Sequence, residues 1–366
     1  MEMTFKRSLL GLAVAAAAMS GSANAAIDLH GEAVQMYGQA AGAVFIQAQD
    51  QANDTAFAEI ESRIGFKGRV AFDAISPDFI WQIESGNTNN VPWADGKFGQ
   101  RDTFLGFDFD GVGSFKFGRQ LVAAYNYVDW PHSNPGLGNV FDANNDLGVT
   151  FEDRANNVFR FDSANFGGFN FQATLSGMGS DTDAMVASIA ASYSTDMFSV
   201  HAGYYDQGRY KTDVAATDPS WVFDKDNAGC DKGNEDACWE TKPGTPKGTK
   251  DAGDNSYSIV GGSMFLGDVT LTAAWKHMEN GLTNIDQDAY SATAQYVIDG
   301  AWVLKAGYAA TTDTEGEDDG DRAITGRLGY LLPSAYLYLD VRNYDMNGAD
   351  ESKDGTNILL GTEYYF

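Results

Sequence analysis

The stretch ESRIGFKGRVAF, residues 61–72, decides how the chain folds. Taken every second residue it separates into a polar set, Glu61, Arg63, Gly65, Lys67, Arg69 and Ala71, and an apolar one, Ser62, Ile64, Phe66, Gly68, Val70 and Phe72. Side chains of a strand point alternately to opposite faces, so this is a strand with one greasy and one charged side. In a soluble sheet the greasy side would meet a protein core. Whether it does so here depends on the rest of the chain.

The N-terminal residues 1–25 read as a signal peptide. Lys6 and Arg7 precede an apolar run from Leu9 to Met19, and Ala23-Asn24-Ala25 is the small-residue pattern of a cleavage site. Export follows, with a mature chain of residues 26–366. Beyond that leader no run is long and apolar enough for a membrane-spanning helix, and the mean hydropathy is −0.30. With 41 Gly, 17 Tyr and 23 Phe against 8 Pro, the composition suits many twisted strands and tight turns. Without Glu2, Lys6 and Arg7, 50 acids face 22 bases, a net charge of −28. Such a surface repels nucleic acid. Cys230 and Cys238 lie in the polar stretch NAGCDKGNEDACWE, and in an exported chain they read as one disulfide stapling a loop. A metal site is the weaker reading, since neither a His nor a further Cys stands near them.

From residue 29 onward the alternation recurs. FNFQATLS (169–176), VTLTAAWK (269–276), AWVLKAGY (301–308) and AYLYLDVRN (335–343) each carry a single apolar face. Sixteen such runs can be counted, separated in turn by tight turns such as LGD, IDG and LPS and by longer polar segments at 87–100, 123–155, 207–255 and 312–321. Short turns at one end and long loops at the other describe an up-and-down meander with two unlike rims. An even number of antiparallel strands can close and leave no edge. Trp81, Trp93, Trp130, Trp275, Trp302, Tyr257, Tyr290, Tyr308, Tyr364 and Phe366 gather near strand ends, as rings do at a membrane–water boundary. The expected fold is therefore all-β, a transmembrane antiparallel barrel of about sixteen strands. Its greasy face would meet lipid or a neighbouring subunit, and Arg63, Lys67 and Arg69 would line a wet interior.

Several stretches resemble the trimeric general porins of Gram-negative outer membranes, and the resemblance covers the whole mature chain. SRIGFKG is similar to the second strand of that family, RDTFLGF…GVGSFKFGRQ to the fourth and fifth, and EDRANNVFRFDSANFGGFNF to the sixth and seventh. The C-terminal EYYF, with Tyr364 and Phe366, resembles the signal read by the barrel assembly machinery. The resemblance implies a homotrimer in the outer membrane, among lipids and lipopolysaccharide. It also implies an inward-folded constriction loop, here residues 126–153, whose acids face a wall of arginines. Arg63, Arg101 and Arg154 match the basic wall and Asp129 one loop acid. The family's Pro-Glu-Phe-Gly-Gly-Asp run is replaced by PHSNPGLGNVF, so Asp142, Asp146, Glu152 and Asp153 all stand as candidates for the other acids.

Phase adds Lys67 and Arg160 to the pore wall, whereas Arg119 falls in phase with Phe115 and Phe117. Asp142, Asn144, Asp146 and Asp153 have part of the spacing of a calcium loop, but Leu147 stands where glycine is required. The run 313–321 reads as a solvated external loop. No cofactor is called for and no enzyme is expected, since the four histidines stand in no G-x-S-x-G or H-E-x-x-H context. The expected function is passive diffusion of ions and small hydrophilic solutes, with a weak to moderate cation preference suggested by the acid excess of the inward loop. A substrate-specific channel, or a barrel whose loops (207–255 above all) serve adhesion, are the alternatives.

Overall fold

The structure, a computed structural model, describes residues 26–50, 52–88, 96–133, 136–142, 145–179, 181–216, 220–223, 239–242, 247–348 and 353–366. The expectations placed on residues 1–25, Trp93, Asn144, Cys230 and Cys238 lie outside them. The chain forms one large antiparallel sheet that closes on itself. Of its eighteen hydrogen-bonded segments, Ile27–Asp28 is a stub on the first strand and two segments join end to end, which leaves sixteen strands. They are β1 (Gln35–Gln49), β2 (Thr55–Ile60 and Arg63–Phe72), β3 (Ile75–Ser85), β4 (Phe98–Phe109), β5 (Gly113–Leu121), β6 (Arg154–Ser163), β7 (Phe169–Ser176) and β8 (Val186–Ser194). The second half comprises β9 (Phe198–Val214), β10 (Gly248–Leu266), β11 (Val269–Asn280), β12 (Ile285–Ile298), β13 (Trp302–Thr311), β14 (Arg322–Leu332), β15 (Ala335–Asp345) and β16 (Gly355–Tyr365).

Each strand pairs with the next, and β1 pairs with β16 from Gln39↔Tyr365 to Gln49↔Gly355. No edge is left along that seam. Closure matters because backbone groups in hydrocarbon have no water to bond, so only a ring of strands can satisfy all of them.

The two faces differ as residues 61–72 predict. Outward-pointing Leu328, Leu339, Val260 and Leu360 stand exposed, Leu360 to 65% and Phe159 to 60%. An apolar surface that continuous belongs against lipid or another subunit. Inward-pointing Gln172, Thr174, Ser188, Gln287, Ser291 and Thr293 are polar and buried, because a loop lies over them. Among the described residues no helix is long and apolar enough to cross a membrane.

Two sequence expectations change. The polar segment 207–255 is in good part strand: β9 and β10 stay paired to Val214↔Gly248, with Arg209 on Asp254 and Lys211 on Asp251 across the pair. One face of this extension carries Arg209, Lys211 and Asp213 and the other Tyr210, Thr212 and Val214 with Ala252 and Gly248, an alternation too weakly apolar to mark a membrane-spanning run. A separate two-stranded piece, Ser220–Phe223 with Trp239–Lys242, follows. Among the rings assigned to the membrane boundary, Trp275, Trp302, Tyr290, Tyr308 and Tyr364 do face outward, but Tyr257 is 2% exposed and points inward, stacked on Tyr205 at 5.0 Å. Its phase within β10, shared with Asn255 and Ile259, is the lumen phase.

A charge on the lipid face should be felt far more than one on the lumen face. Leu328→Arg is expected to lower folding stability by about 2–4 kcal/mol, and Gln82→Arg by less than about 1 kcal/mol, as read by urea titration of folding into phospholipid vesicles. Equal losses would contradict the assignment of faces.

Candidate channel constriction

Between β5 and β6 the chain turns into the barrel. Val122, Ala123 and Ala124 are wholly buried, a short π-helical turn spans Tyr125–Asp129, and one α-turn spans Trp130–Ser133. The helical stretch is continuous from 123 to 133, and Pro131, without an N–H, falls just past its π turn, where the usual ladder is already broken. The loop then crosses the lumen and lies against the inner faces of β7 to β15.

Its seating is detailed. The Ala124 N–H donates to Ser188 Oγ (2.9 Å), Asn126 Nδ2 to Gln172 Oε1 (3.3 Å), and Tyr127 OH to Asn170 Oδ1 (2.5 Å). Ser291 Oγ donates to the His132 carbonyl (2.5 Å) and Tyr344 OH to that of Gly136 (2.9 Å). Further along, Gln287 exchanges two bonds with Asp146, each 3.0 Å, and Asn280 Nδ2 donates to the Leu147 carbonyl (2.8 Å). Leu137, Val140 and Phe141 are fully buried in the seam. Two wall glycines make the fit possible: a Cβ on Gly261 would stand 2.6 Å from His132 Nε2, and one on Gly307 2.8 Å from Leu137 Cδ1.

At the centre of the seam lies an ion pair. Lys276 of β11 donates to Asp129 at 2.7 Å and to the Asp142 carbonyl at 3.3 Å, with both partners of the pair 1% exposed. The ammonium also stands 4.7 Å from the ring centroid of Tyr257 and 5.7 Å from that of Phe151. Asp129, expected to face the basic wall, is thus turned away from the lumen. A carboxylate of the loop with a lysine directly behind it is held by that lysine. Asp142, half-buried, accepts from Tyr125 OH (3.3 Å), and its carboxyl is raised to about 8 by burial and then by the Asp129 and Asp153 carboxylates. His132 is driven down to about 3, first by burial, then by His201 and Lys305, and so stays neutral. Because Asp142 and Asp146 bond in different directions, they do not converge as a calcium loop requires.

Opposite the loop a cavity of ≈ 550 Å³ remains open. Its wall carries Arg63, Lys67, Arg101, Lys116, Arg154 and Arg160, so all five basic residues singled out by the sequence are brought together there. Glu61, Glu84 and Asp102 are the acids of that wall. Arg101 bonds Glu84 at 2.5 Å and Arg154 bonds Asp102 at 2.8 Å. Asp162 is shared by Lys116 (2.6 Å) and Arg160 (2.9 Å). None of the five candidate loop acids lines this cavity; the loop presents Tyr125, Asn126 and Trp130 to it instead. Arg119, whose phase is ambiguous in the sequence, bonds the Gln100 carbonyl (2.6 Å) and Asn156 (2.8 Å) beside a bulge at Gly118/Gln120.

Alternation alone passes over Lys116, Phe104, Tyr37, Tyr365 and Lys276, and Trp130, expected among the membrane-boundary rings, lies instead on the inward loop and lines the cavity. A signal for Lys276 does exist: in VTLTAAWK it holds the inward phase with Thr272 and Ala274, where a lysine requires a partner.

Comparison with known proteins places this geometry in context. Residues 11–350 match the family of Gram-negative porins. The chain is 31% identical over 393 aligned positions, covering 100% of both proteins, to the chitoporin of Vibrio furnissii. It is 27% identical over 173 positions to outer membrane porin F of Escherichia coli K12, covering 44% of this chain and 46% of that one. Among solved structures it is similar to OmpF of Salmonella typhi in complex with daunomycin, with a TM-score of 0.64, 16% identity, and 93% and 100% of the two chains covered.

Lys276→Met should leave Asp129 charged and unpaired, cost about 3–5 kcal/mol of loop seating and raise single-channel conductance and its noise. Adding Asp129→Asn should restore much of the loss; no difference between single and double variants would remove the pair from the seam. Because the seated loop holds the Asp142 proton more tightly than a loosened loop does, seating weakens as pH rises from the usual carboxylate range through about 8. Open-channel noise is expected to grow across that interval and to lose part of its pH dependence in Asp142→Asn, the remainder belonging to Asp153, which burial and then the Asp129 carboxylate raise to about 7.

Proposed function

The chain belongs to the Gram-negative porin family, and from that premise we propose that it carries small hydrophilic solutes and ions passively through a passage between Trp130 and Arg63. It is an outer-membrane channel and its chemistry is that of a filter, not of an enzyme. The observation that supports the finer reading is the cavity left between the loop and the basic wall. A sixteen-stranded barrel is too wide for side chains to fill, so what the loop leaves open stays wet. Solutes that can exchange water for guanidinium, ammonium and amide groups pass; apolar ones lose hydration without replacement.

Charge at the narrowest section governs ion preference. The acid excess of the chain argues for cations, and the acidic run 313–321 among the loops of the long-loop rim would favour them at the mouth. Within the passage six cations stand against Glu61, Glu84, Asp102 and Asp162, while Asp129, Asp142 and Asp146 are engaged in or beside the seam. We therefore assign the passage itself a weak anion preference that opposes its mouth. Three barrels side by side, contacts with lipid and lipopolysaccharide, and recognition of Tyr364 and Phe366 by the assembly machinery complete the proposal on the strength of the family resemblance, and a Cys230–Cys238 staple on that of the paired cysteines of an exported chain.

A sugar-specific channel is the second reading. A relative named chitoporin and the rings Tyr37, Phe104, Tyr125 and Trp130 around one cavity favour it.

The deciding measurement is the reversal potential of the purified protein in a potassium chloride gradient across a planar bilayer. A modest potential of chloride sign is expected, moving toward potassium in Arg63→Gln and unmoved in Asp146→Asn. A strong potassium preference in the wild-type channel would overturn the assignment.

A further inference from the structure

The cavity contains more than a set of charges. The loop side is aromatic, with Tyr125 and Trp130 6.5 Å apart at 34°, and the wall side interleaves rings with cations. Lys67 lies 5.4 Å from the Tyr37 ring centroid and Lys116 5.1 Å from that of Phe104. The combination recurs farther round the lumen, where the Arg327 guanidinium lies 4.4 Å from the Tyr338 ring.

Counting charge along this wall leaves a cationic surplus. Two carboxylates each serve two cations: Asp162 serves Lys116 and Arg160, and Asp340 accepts from Arg327 (2.6 and 2.7 Å) and Arg342 (2.7 Å). Arg63 and Lys67 form no ion pair among the described residues, while Glu59, Glu61 and Glu363 are acids grouped beside the same wall. Rings arranged on both sides of a cavity offer flat apolar faces, which suit the C–H face of a pyranose and add nothing to the binding of a bare inorganic anion. Unpaired cations beside those rings are desolvated at a loss by a neutral sugar and at a gain by a charged one. Gln39, Gln82 and Asn126 supply donors and acceptors for hydroxyls.

We propose that this cavity is a binding site for an acidic oligosaccharide, whose pyranose rings stack between Trp130 and the wall rings while its carboxylates meet Arg63 and Lys67. The proposal rests on the channel reading above and narrows it to a substrate class. A cavity of ≈ 550 Å³ is in the range that holds a small ligand snugly.

The test is single-channel current in a planar bilayer with oligogalacturonate, with chitohexaose as the neutral comparison of similar length and galacturonate monomer as the charge without the chain. Oligogalacturonate should interrupt the current about tenfold more often than either, and the excess should shrink as salt rises. The double variant Arg63→Gln/Lys67→Gln should lower that association rate about tenfold and leave chitohexaose unaffected. Trp130→Ala should shorten each blockade without changing its salt dependence. Open potassium chloride conductance in every variant reports a folded channel. Blockade by chitohexaose equal to that by the acidic oligomer, or none from either with conductance intact, would overturn the site while leaving the channel standing. Absence of conductance in the wild-type protein would overturn both.

Discussion

Every feature of this protein depends on one constraint: in hydrocarbon a backbone N–H or C=O has no partner except another strand. Closing β16 onto β1 meets that demand all the way around the barrel. Once the sheet is closed, strand alternation has no freedom left. One set of side chains faces outward and must be apolar, as Leu328, Val260 and Leu360 are. The other faces a lumen too wide to fill and must be polar or be covered.

The loop from Val122 to Asp153 resolves that second requirement unevenly. On the β7–β15 side it fills the space with Leu137, Val140 and Phe141 and ties itself to the wall by polar pairs, with Asp129 and Lys276 at the centre. A buried ion pair contributes little net stability against an apolar alternative, but either member without the other is severely penalised. Such a pair fixes position more than it strengthens, and position is what a passage of ≈ 550 Å³ needs. Filling one side leaves the basic wall of β2 to β6 as the open side. Trp130, next to Asp129 on the same helical stretch, lines that open side while Asp129 is committed to the seam, and Tyr125 reaches from the seam, where its OH bonds Asp142, to the edge of the cavity.

The selectivity of the passage is therefore decided by where charges point and not by how many the chain holds. The chain holds 51 acids against 24 bases, yet Asp129, Asp142 and Asp146 of the loop are drawn into or beside the seam. The cations survive because one carboxylate takes a cation two residues along its own strand and a second from the neighbouring strand, as at Asp162 with Arg160 and Lys116 and at Asp340 with Arg342 and Arg327. Cross-strand adjacency of this kind arises from register, which no linear reading of the chain displays.

The sequence by itself determined the strand period, the number of strands, the unlike rims, the apolar outer face and the basic side of the lumen. All of these follow from alternation and turn residues, which are local properties. Arg63, Lys67 and Arg160 were legible because their phase is set by immediate neighbours. Tertiary structure alone decided that Asp129 turns to Lys276, 147 positions away, that Tyr257 points inward, and that rings rather than carboxylates face the arginines. It also decided that the polar ends of β9 and β10 remain strands, tied across the ladder by Arg209–Asp254 and Lys211–Asp251 where Tyr210, Thr212 and Val214 make only a weakly apolar face. A loop that crosses a lumen has no period of its own; its side chains are oriented by the walls it meets, and those walls exist only after the barrel has closed.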